Sequence, residues 1–386
     1  MFRTATTRLA RHVYRPLRRA GQRLAPRPFA DRARGARQPE RYPALDHARL
    51  VLIALVVVGH LLEQLANSGP LAAALYRWIY LFHMPAFALV SGAVSKATFT
   101  RRRAGAIVTG LLIPYALFQT LYPAWDAWLA GSGDWSQGYA TPYWLLWYLV
   151  SLACWRLLLP LFARLRFALP VAVAIALAAG TLAWIGYPLT LSRTLVFFPL
   201  FLLGYRLGAM RLQRLGDAGG RRLAATGVLA AALAGAWYLR DLDPEWLYAA
   251  TGYAALQVAP WTGAGIRLAL LVASALCALA LLALMPRRAA HAGLGRRSLT
   301  AYLMHGFVVR ALVAAGAFTW LAHALAPPMQ MLLCAAGGVA LAALLSTRLA
   351  SRLSAPLTQP VAWLRDRGWP RRPGGREWIE KFKRLY

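Results

Sequence analysis

Apolar residues along this chain gather into blocks of about 18–22 positions, the length that a helix needs to cross about 30 Å of hydrocarbon. The first block, Arg49–Ala66, reads RLVLIALVVVGHLLEQLA. It has only a few polar positions, where a helix of a soluble core keeps a polar stripe. Further blocks follow at about Leu75–Ser95, Ala104–Leu121, Pro142–Ala163, Phe167–Tyr187 and Arg193–Arg211. The last four are Arg222–Leu239, Ile266–Met285, Ser298–His323 and Met329–Ser351. Tyr248–Trp261 is also apolar, but it is short and interrupted by Gly252 and Pro260, and it reads as a loop or re-entrant segment. The pattern predicts an all-α, polytopic membrane protein with about ten transmembrane helices.

Composition agrees, with 59% hydrophobic and 15% charged residues in 386, where a soluble domain carries nearer a quarter charged. The formal net charge of +31 first suggests a nucleic-acid binder, but its placement argues against one. Basic residues fall in alternate connections: Lys96–Arg103, Arg164 with Arg166, Arg211–Arg222, and Arg287–Arg297. The intervening connections hold Asp126, Asp134, Asp241, Asp243 and Glu245, with only Arg193 and Arg240 as isolated cations. By the positive-inside rule this alternation predicts both termini in the cytoplasm of a multi-pass plasma (inner) membrane protein. Residues 1–41, with twelve arginines and two acids, read as a disordered cytoplasmic tail lying against anionic lipid. Residues 42–355 then form the membrane domain, and 356–386 a second basic cytoplasmic tail. Cys154, Cys277 and Cys334 fall inside apolar blocks without metal-ligand spacing, so they read as small buried hydrophobes and no metal is expected.

An ionisable side chain inside a bilayer costs a few kcal/mol at least, which makes each one a functional candidate. The first block holds Arg49, His60 and Glu63, with Asp46 just before it; the second holds His83 and the ninth His305. Arg49 and His60 are eleven residues apart, three turns of helix, so they share a face about 16 Å apart along the axis. Glu63 follows His60 by three, within reach of its ring. His83 enters its helix from the opposite side, nearly to the depth of His60, so the two can face one cavity. His305 enters from the inner side and is expected at a different level. The structural alternatives are a snorkelling Arg49, His83 and His305 bonded to helix carbonyls, and a purely structural His60–Glu63 pair. A His held by a carboxylate can take a proton from a hydroxyl attacking a carbonyl. No Ser or Cys lies beside His60, which favours direct transfer over a covalent acyl-enzyme.

These residues also carry a family likeness. LDHARLVLIALVVVGH (45–60), with an Arg and a His separated by ten residues, resembles the first helix of the acyltransferase family 3 membrane proteins. FHMPAFALVSG (82–92) resembles that family's second helix, and YWLLWYL (143–149), FFPLFLLGYRLG (197–208) and GRRSLTAYLMH (295–305) are fainter echoes in the same order. The likeness is nearest the branch of fucose 4-O-acetylases and rhizobial nodulation-factor acetylases. It implies ten helices, transfer of acyl groups, commonly acetyl from acetyl-CoA, to hydroxyls of envelope or exported glycans, and critical roles for Arg49 and His60. Glu63 is outside the family pattern, and its role rests on helix geometry alone. The expected mechanism has Arg49, Arg101, Arg102 and Arg103 on the donor's phosphates, with His305 assigned to the donor as well. His60 is the general base, Glu63 orients it, and His83 stabilises the oxyanion or positions the sugar. Trp78, Tyr80, Trp144 and Trp147 either stack on sugar or anchor the protein at the interface. The competing class is a transporter or flippase of a sugar substrate, which also needs intramembrane polar groups but usually shows related halves. No such repeat is found in the sequence.

Overall fold

The computed structural model describes residues 42–66, 69–131, 138–216, 219–288 and 290–367; both ends of the chain, including the basic segment 1–41, lie outside the described residues. The described chain is helical, and each of the ten apolar blocks coincides with a helix. These are α1 Pro43–Glu63, α2 Pro70–Ala93, α3 Arg101–Leu129, α4 Trp144–Phe162, α5 Ala168–Thr181 and α6 Pro188–Gln213. They continue as α7 Gly219–Tyr238, α8 Pro260–Leu284, α9 Ser298–Ala314 and α10 Pro327–Leu345. Seven are long and apolar enough to cross a membrane, and an eighth if α9 is joined to Ala317–Ala324 across a bend of 61°. The other two are α5, which is shorter, and α7, whose first turn carries Arg221 and Arg222. The stretch after Tyr248 is a loop as far as Pro260, preceded by the one-turn helix Glu245–Tyr248.

α1 is the most enclosed of the seven spans. It packs against α2, α9, α10 and the short helix Ala292–Gly295. Its polar residues therefore face protein rather than lipid, which the cost of exposing them to hydrocarbon requires. α2 packs in turn on α6, α7 and α8. The α2–α6 crossing depends on two glycines placed reciprocally. A Cβ on Gly92 would fall 1.8 Å from the carbonyl oxygen of Phe201, and one on Gly204 would fall 1.9 Å from that of Leu89. Apolar side chains gain little by leaving lipid, so close backbone approach at small residues does much of the work of helix association.

Polar backbone is satisfied inside the bundle as well. Pro85 has no N–H for the carbonyl four residues earlier, and Ser274 of α8 donates its hydroxyl to that carbonyl, on Leu81, at 2.5 Å. On the Glu63 side of the bundle, Arg310 of α9 binds both carboxylate oxygens of Asp126 of α3 at 2.7 Å, and the Tyr143 hydroxyl donates to the same carboxylate. Sequence alone put Asp126 in a connection, whereas it is a buried counter-ion that ties α3 to α9.

The glycine crossing generates a stability prediction. Gly204→Val inserts a branched side chain where a Cβ already overlaps backbone, and overpacking of this kind costs about 1–3 kcal/mol. It is expected to lower the melting temperature of the detergent-purified protein and its membrane abundance. Gly227→Ala, on α7 where a Cβ meets nothing within 4 Å, serves as the control and is expected to melt with the parent.

Candidate functional site

The last turn of α1 presents two ionisable side chains to one another. His60 Nδ1 lies 3.1 Å from Glu63 Oε2. A carboxylate only accepts, so Nδ1 carries a proton, and in the neutral ring Nε2 is left as a lone pair. The Tyr80 hydroxyl of α2 is 3.4 Å from the same Nδ1, and the Trp144 ring packs 4.4 Å from the imidazole. Trp144 opens α4 with φ +39°, a left-handed backbone that is strained for a bulky side chain.

The structure brings all three predicted histidines into this neighbourhood. His83 gives Nδ1–H to the Ile79 carbonyl at 2.8 Å, and its ring meets Tyr80 at 4.8 Å. This fixes its tautomer, so that Nε2 of the neutral ring can only accept. His305 does the same with the Ala301 carbonyl at 2.9 Å, and its buried Nε2 has no hydrogen-bond partner among the described residues. The expectation that His305 lies at another depth is corrected here: its ring stacks on His60, 5.5 Å between centroids and 22° between planes. The reason is where the chain enters the bundle. Gly295 already packs against the Asp46 backbone, with room for no Cβ, so ten further residues carry His305 about 15 Å up along α1. The ring contact puts it beside the general-base candidate instead of at the basic end of α1.

His60, Glu63 and His83 line a cavity of about 600 Å³, within the range of small-molecule sites. Its other wall comes from block edges and connections that sequence reading did not bring to the site: Thr141 and Pro142 before α4, Tyr187 and Arg193 at the start of α6, and Leu247 with Tyr248. Tyr80, Trp144 and Trp147 line it too. Trp78 does not; its indole donates to the Leu229 carbonyl of α7 at 3.1 Å.

At the opposite end of α1, Arg49 is bound to Asp46 at 2.9 Å, and Arg296 shares that carboxylate at 3.7 Å. A second cavity, of about 230 Å³, is lined by Lys96, Arg103 and Arg156 with no acid among its residues. Arg103 donates to the carbonyls of Lys96 and Thr98 and to the Thr98 hydroxyl. Arg101 and Arg102 are exposed and outside this lining. Arg49 is also outside it, though within electrostatic reach of Arg156. The two cavities share no residue. Sequence reading missed Arg156 and Arg193. Arg156 lies within the fourth apolar block and carried the same signal that singled out Arg49, an ionisable group inside a span. Arg193 sits at a block edge, where a cation is ordinary.

Comparison with known proteins bears on this arrangement directly. A family model described as an acyltransferase domain matches residues 42–347. Over 85 residues the chain is 36% identical to nodulation protein NolL of Mesorhizobium japonicum, covering 20% of this chain and 23% of that protein. Over 117 residues it is 33% identical to nodulation protein NolL of Sinorhizobium fredii, covering 26% of this chain and 32% of that one. The matched stretches thus span a third or less of these relatives. No solved structure matches the chain. Because the family model runs from the start of α1 to the end of α10 and takes in the whole site, the chain belongs to the acyltransferase 3 family of membrane proteins.

Proposed function

We propose that this protein is an O-acyltransferase of the plasma (inner) membrane that moves an acyl group, acetyl in the first instance, from acyl-CoA to a hydroxyl of an envelope or exported glycan. The observation that carries the proposal is the His60–Glu63 pair on the wall of a cavity large enough for a sugar. His60 Nε2 takes the proton of the acceptor hydroxyl as its oxygen attacks the thioester carbon. The C–S bond breaks, and the coenzyme A thiolate recovers that proton from the imidazolium. Glu63 holds the tautomer and offsets the charge that develops on the ring. The Tyr80 hydroxyl, beside Nδ1, has its own proton free for the carbonyl oxygen. His83, an acceptor at Nε2, positions the sugar by taking a hydroxyl hydrogen bond. His305 supports the His60 ring by stacking.

The donor's phosphates lie at the other end of α1, among Arg49, Arg156, Lys96 and Arg103, with Arg101 and Arg102 at the mouth. The basic connections support a cytoplasmic position for this end and for both chain termini, on the side where acyl-CoA is found. A pantetheine arm of about 15–20 Å spans the distance of about 16 Å from Arg49 to His60. The aromatic layer around Tyr148, whose hydroxyl bonds Ser91 at 2.9 Å, lies along this route and has to part for the arm.

Purified protein in nanodiscs, given labelled acetyl-CoA and a hydroxylated glycan, is expected to release free coenzyme A in step with acceptor labelling. Movement of glycan across the bilayer without acyl transfer would establish a transporter instead. His60→Ala at matched abundance is expected to lower turnover by about 10²–10⁴-fold. Glu63→Gln keeps a hydrogen-bond acceptor but not the charge and is expected to lose less; unchanged turnover in His60→Ala removes the base. In a donor-binding assay Arg49→Ala is expected to weaken coenzyme A binding about tenfold or more, with Arg49→Lys between it and the parent. Equal binding by all three overturns the phosphate assignment.

A further inference from the structure

The cavity beside His60 holds a cation, Arg193, that forms no ion pair among the described residues. Arg193 gives its Nε–H to the Tyr248 carbonyl at 3.1 Å. Its guanidinium carbon lies 5.1 Å from the Trp147 ring centre and 5.2 Å from that of Tyr187, so two aromatic rings hold it. Among the described residues it forms no ion pair, and no other hydrogen bond from it is found. Two carboxylates lie nearby. Glu63 is bonded to His60, and Glu245 accepts from the Tyr187 hydroxyl at 3.2 Å. Glu245 attracts Arg193 electrostatically, and its Oε2 is buried without a hydrogen-bond partner, but the two form no ion pair among the described residues.

The turn that carries Arg193 is built to keep it in place. Leu189 and Thr190 just before it have φ of +50° and +53°, unfavourable for a non-glycine residue and most of all for a β-branched one. Such a backbone persists only where its surroundings fix it. Here the Thr190 hydroxyl bonds those of Ser151 and Thr194, both at 3.1 Å, while Ser192 donates to the Ala249 carbonyl at 2.7 Å. A guanidinium fixed in this way, with its terminal N–H groups unused and facing a cavity, is a preorganised bidentate receptor for an oxyanion.

We infer that the acceptor carries an anionic group, a carboxylate or a phosphate, which Arg193 binds while a sugar ring of the same molecule packs on Trp147 or Tyr187 and presents a hydroxyl to His60. This inference rests on the acyl-transfer reading and adds the chemical class of the acceptor. It makes Arg193 a specificity-determining residue with no part in the proton transfers.

The test uses the full chain in nanodiscs with labelled acetyl-CoA and three matched acceptors: a hexuronate-terminated oligosaccharide, its carboxyl-reduced neutral counterpart, and a sugar-phosphate counterpart. The parent is expected to prefer at least one anionic acceptor over the neutral one by about 10- to 100-fold in kcat/KM, the range for a hydrogen-bonded charge. Whichever anionic arm is preferred tells carboxylate from phosphate. Arg193→Gln is expected to collapse that preference through KM, and Arg193→Lys, which keeps the charge but loses the fork, to fall between. Coenzyme A binding in the same preparations reports whether the variants are folded. If they are not, the parent alone still decides: added salt should raise KM for the anionic acceptor and leave the neutral one alone. A parent that acylates neutral acceptors as well as anionic ones overturns the inference and leaves acyl transfer standing. Absence of transfer to every acceptor overturns both.

Discussion

A bilayer gives a polar group no water to fall back on, so each one inside the helix bundle must find its partner in protein. The structure is organised by this constraint around α1, which carries Asp46, Arg49, His60 and Glu63 and is enclosed by α2, α9, α10 and the Ala292–Gly295 turn. Asp46 is shared by Arg49 and Arg296, and His60 is paired within its own helix to Glu63. The same requirement reaches the helices around it. Ser274 covers the carbonyl that Pro85 leaves open, and Arg310 neutralises Asp126 across α3 and α9. Reciprocal glycines let α2 and α6 close up behind α1, so that the helix facing His60 is itself backed by protein.

Satisfying those groups also selects what they can do chemically. Each of the three histidines spends its Nδ1–H, His60 on a carboxylate and His83 and His305 on carbonyls one turn back. Each neutral ring is therefore left with a lone pair at Nε2, which suits a base or a hydrogen-bond acceptor and gives no donor for a developing oxyanion. Donors in the cavity come from elsewhere, from the Tyr80 hydroxyl and the Arg193 guanidinium. A purely structural role explains the His83 and His305 carbonyl bonds well. It explains less about His60, whose partner is an acid that itself lines the cavity.

What the chain's own pattern revealed was the content of single helices. The helix of α1, the three-residue step from His60 to Glu63 and the three-turn step from Arg49 to His60 all follow from a fixed rise and rotation per residue. What it did not reveal was the vertical register between helices. His305 was misplaced because the depth at which the chain before α9 enters the bundle depends on Gly295 packing against Asp46, a contact 249 positions apart in sequence. The far wall of the cavity was missed for a related reason. Thr141, Tyr187, Leu247 and Tyr248 lie at block edges or between blocks, and only packing folds them over the end of α1. Arg156 was legible in principle, since it interrupts an apolar block, whereas Arg193 at a block edge was indistinguishable from an interfacial cation.

The two cavities divide along the axis of α1 according to charge. The one at the Arg49 end has three cations in its lining and no acid, and the one at the His60 end is mostly aromatic with a single guanidinium. A thioester donor has the matching asymmetry, a polyanionic head and a long, nearly uncharged arm ending in the reactive carbon. The head needs cations in quantity and gains from open access to water. The thioester needs the opposite, a site where water cannot compete with the acceptor hydroxyl for the acyl group. Helix α1 separates those needs by three turns, and α4 repeats the arrangement in the opposite direction. Its Trp144 touches His60, and its Arg156 lies twelve residues, about 18 Å, further along. Both helices thus carry an arginine at one level and a ring at the other, with a spacing fixed by backbone geometry. On the acyl-transfer reading proposed above, the rings around Tyr148, which contact Trp147 of the His60 cavity and feel the charges of Arg49 and Arg156, are the layer of the bundle that the donor's arm has to part.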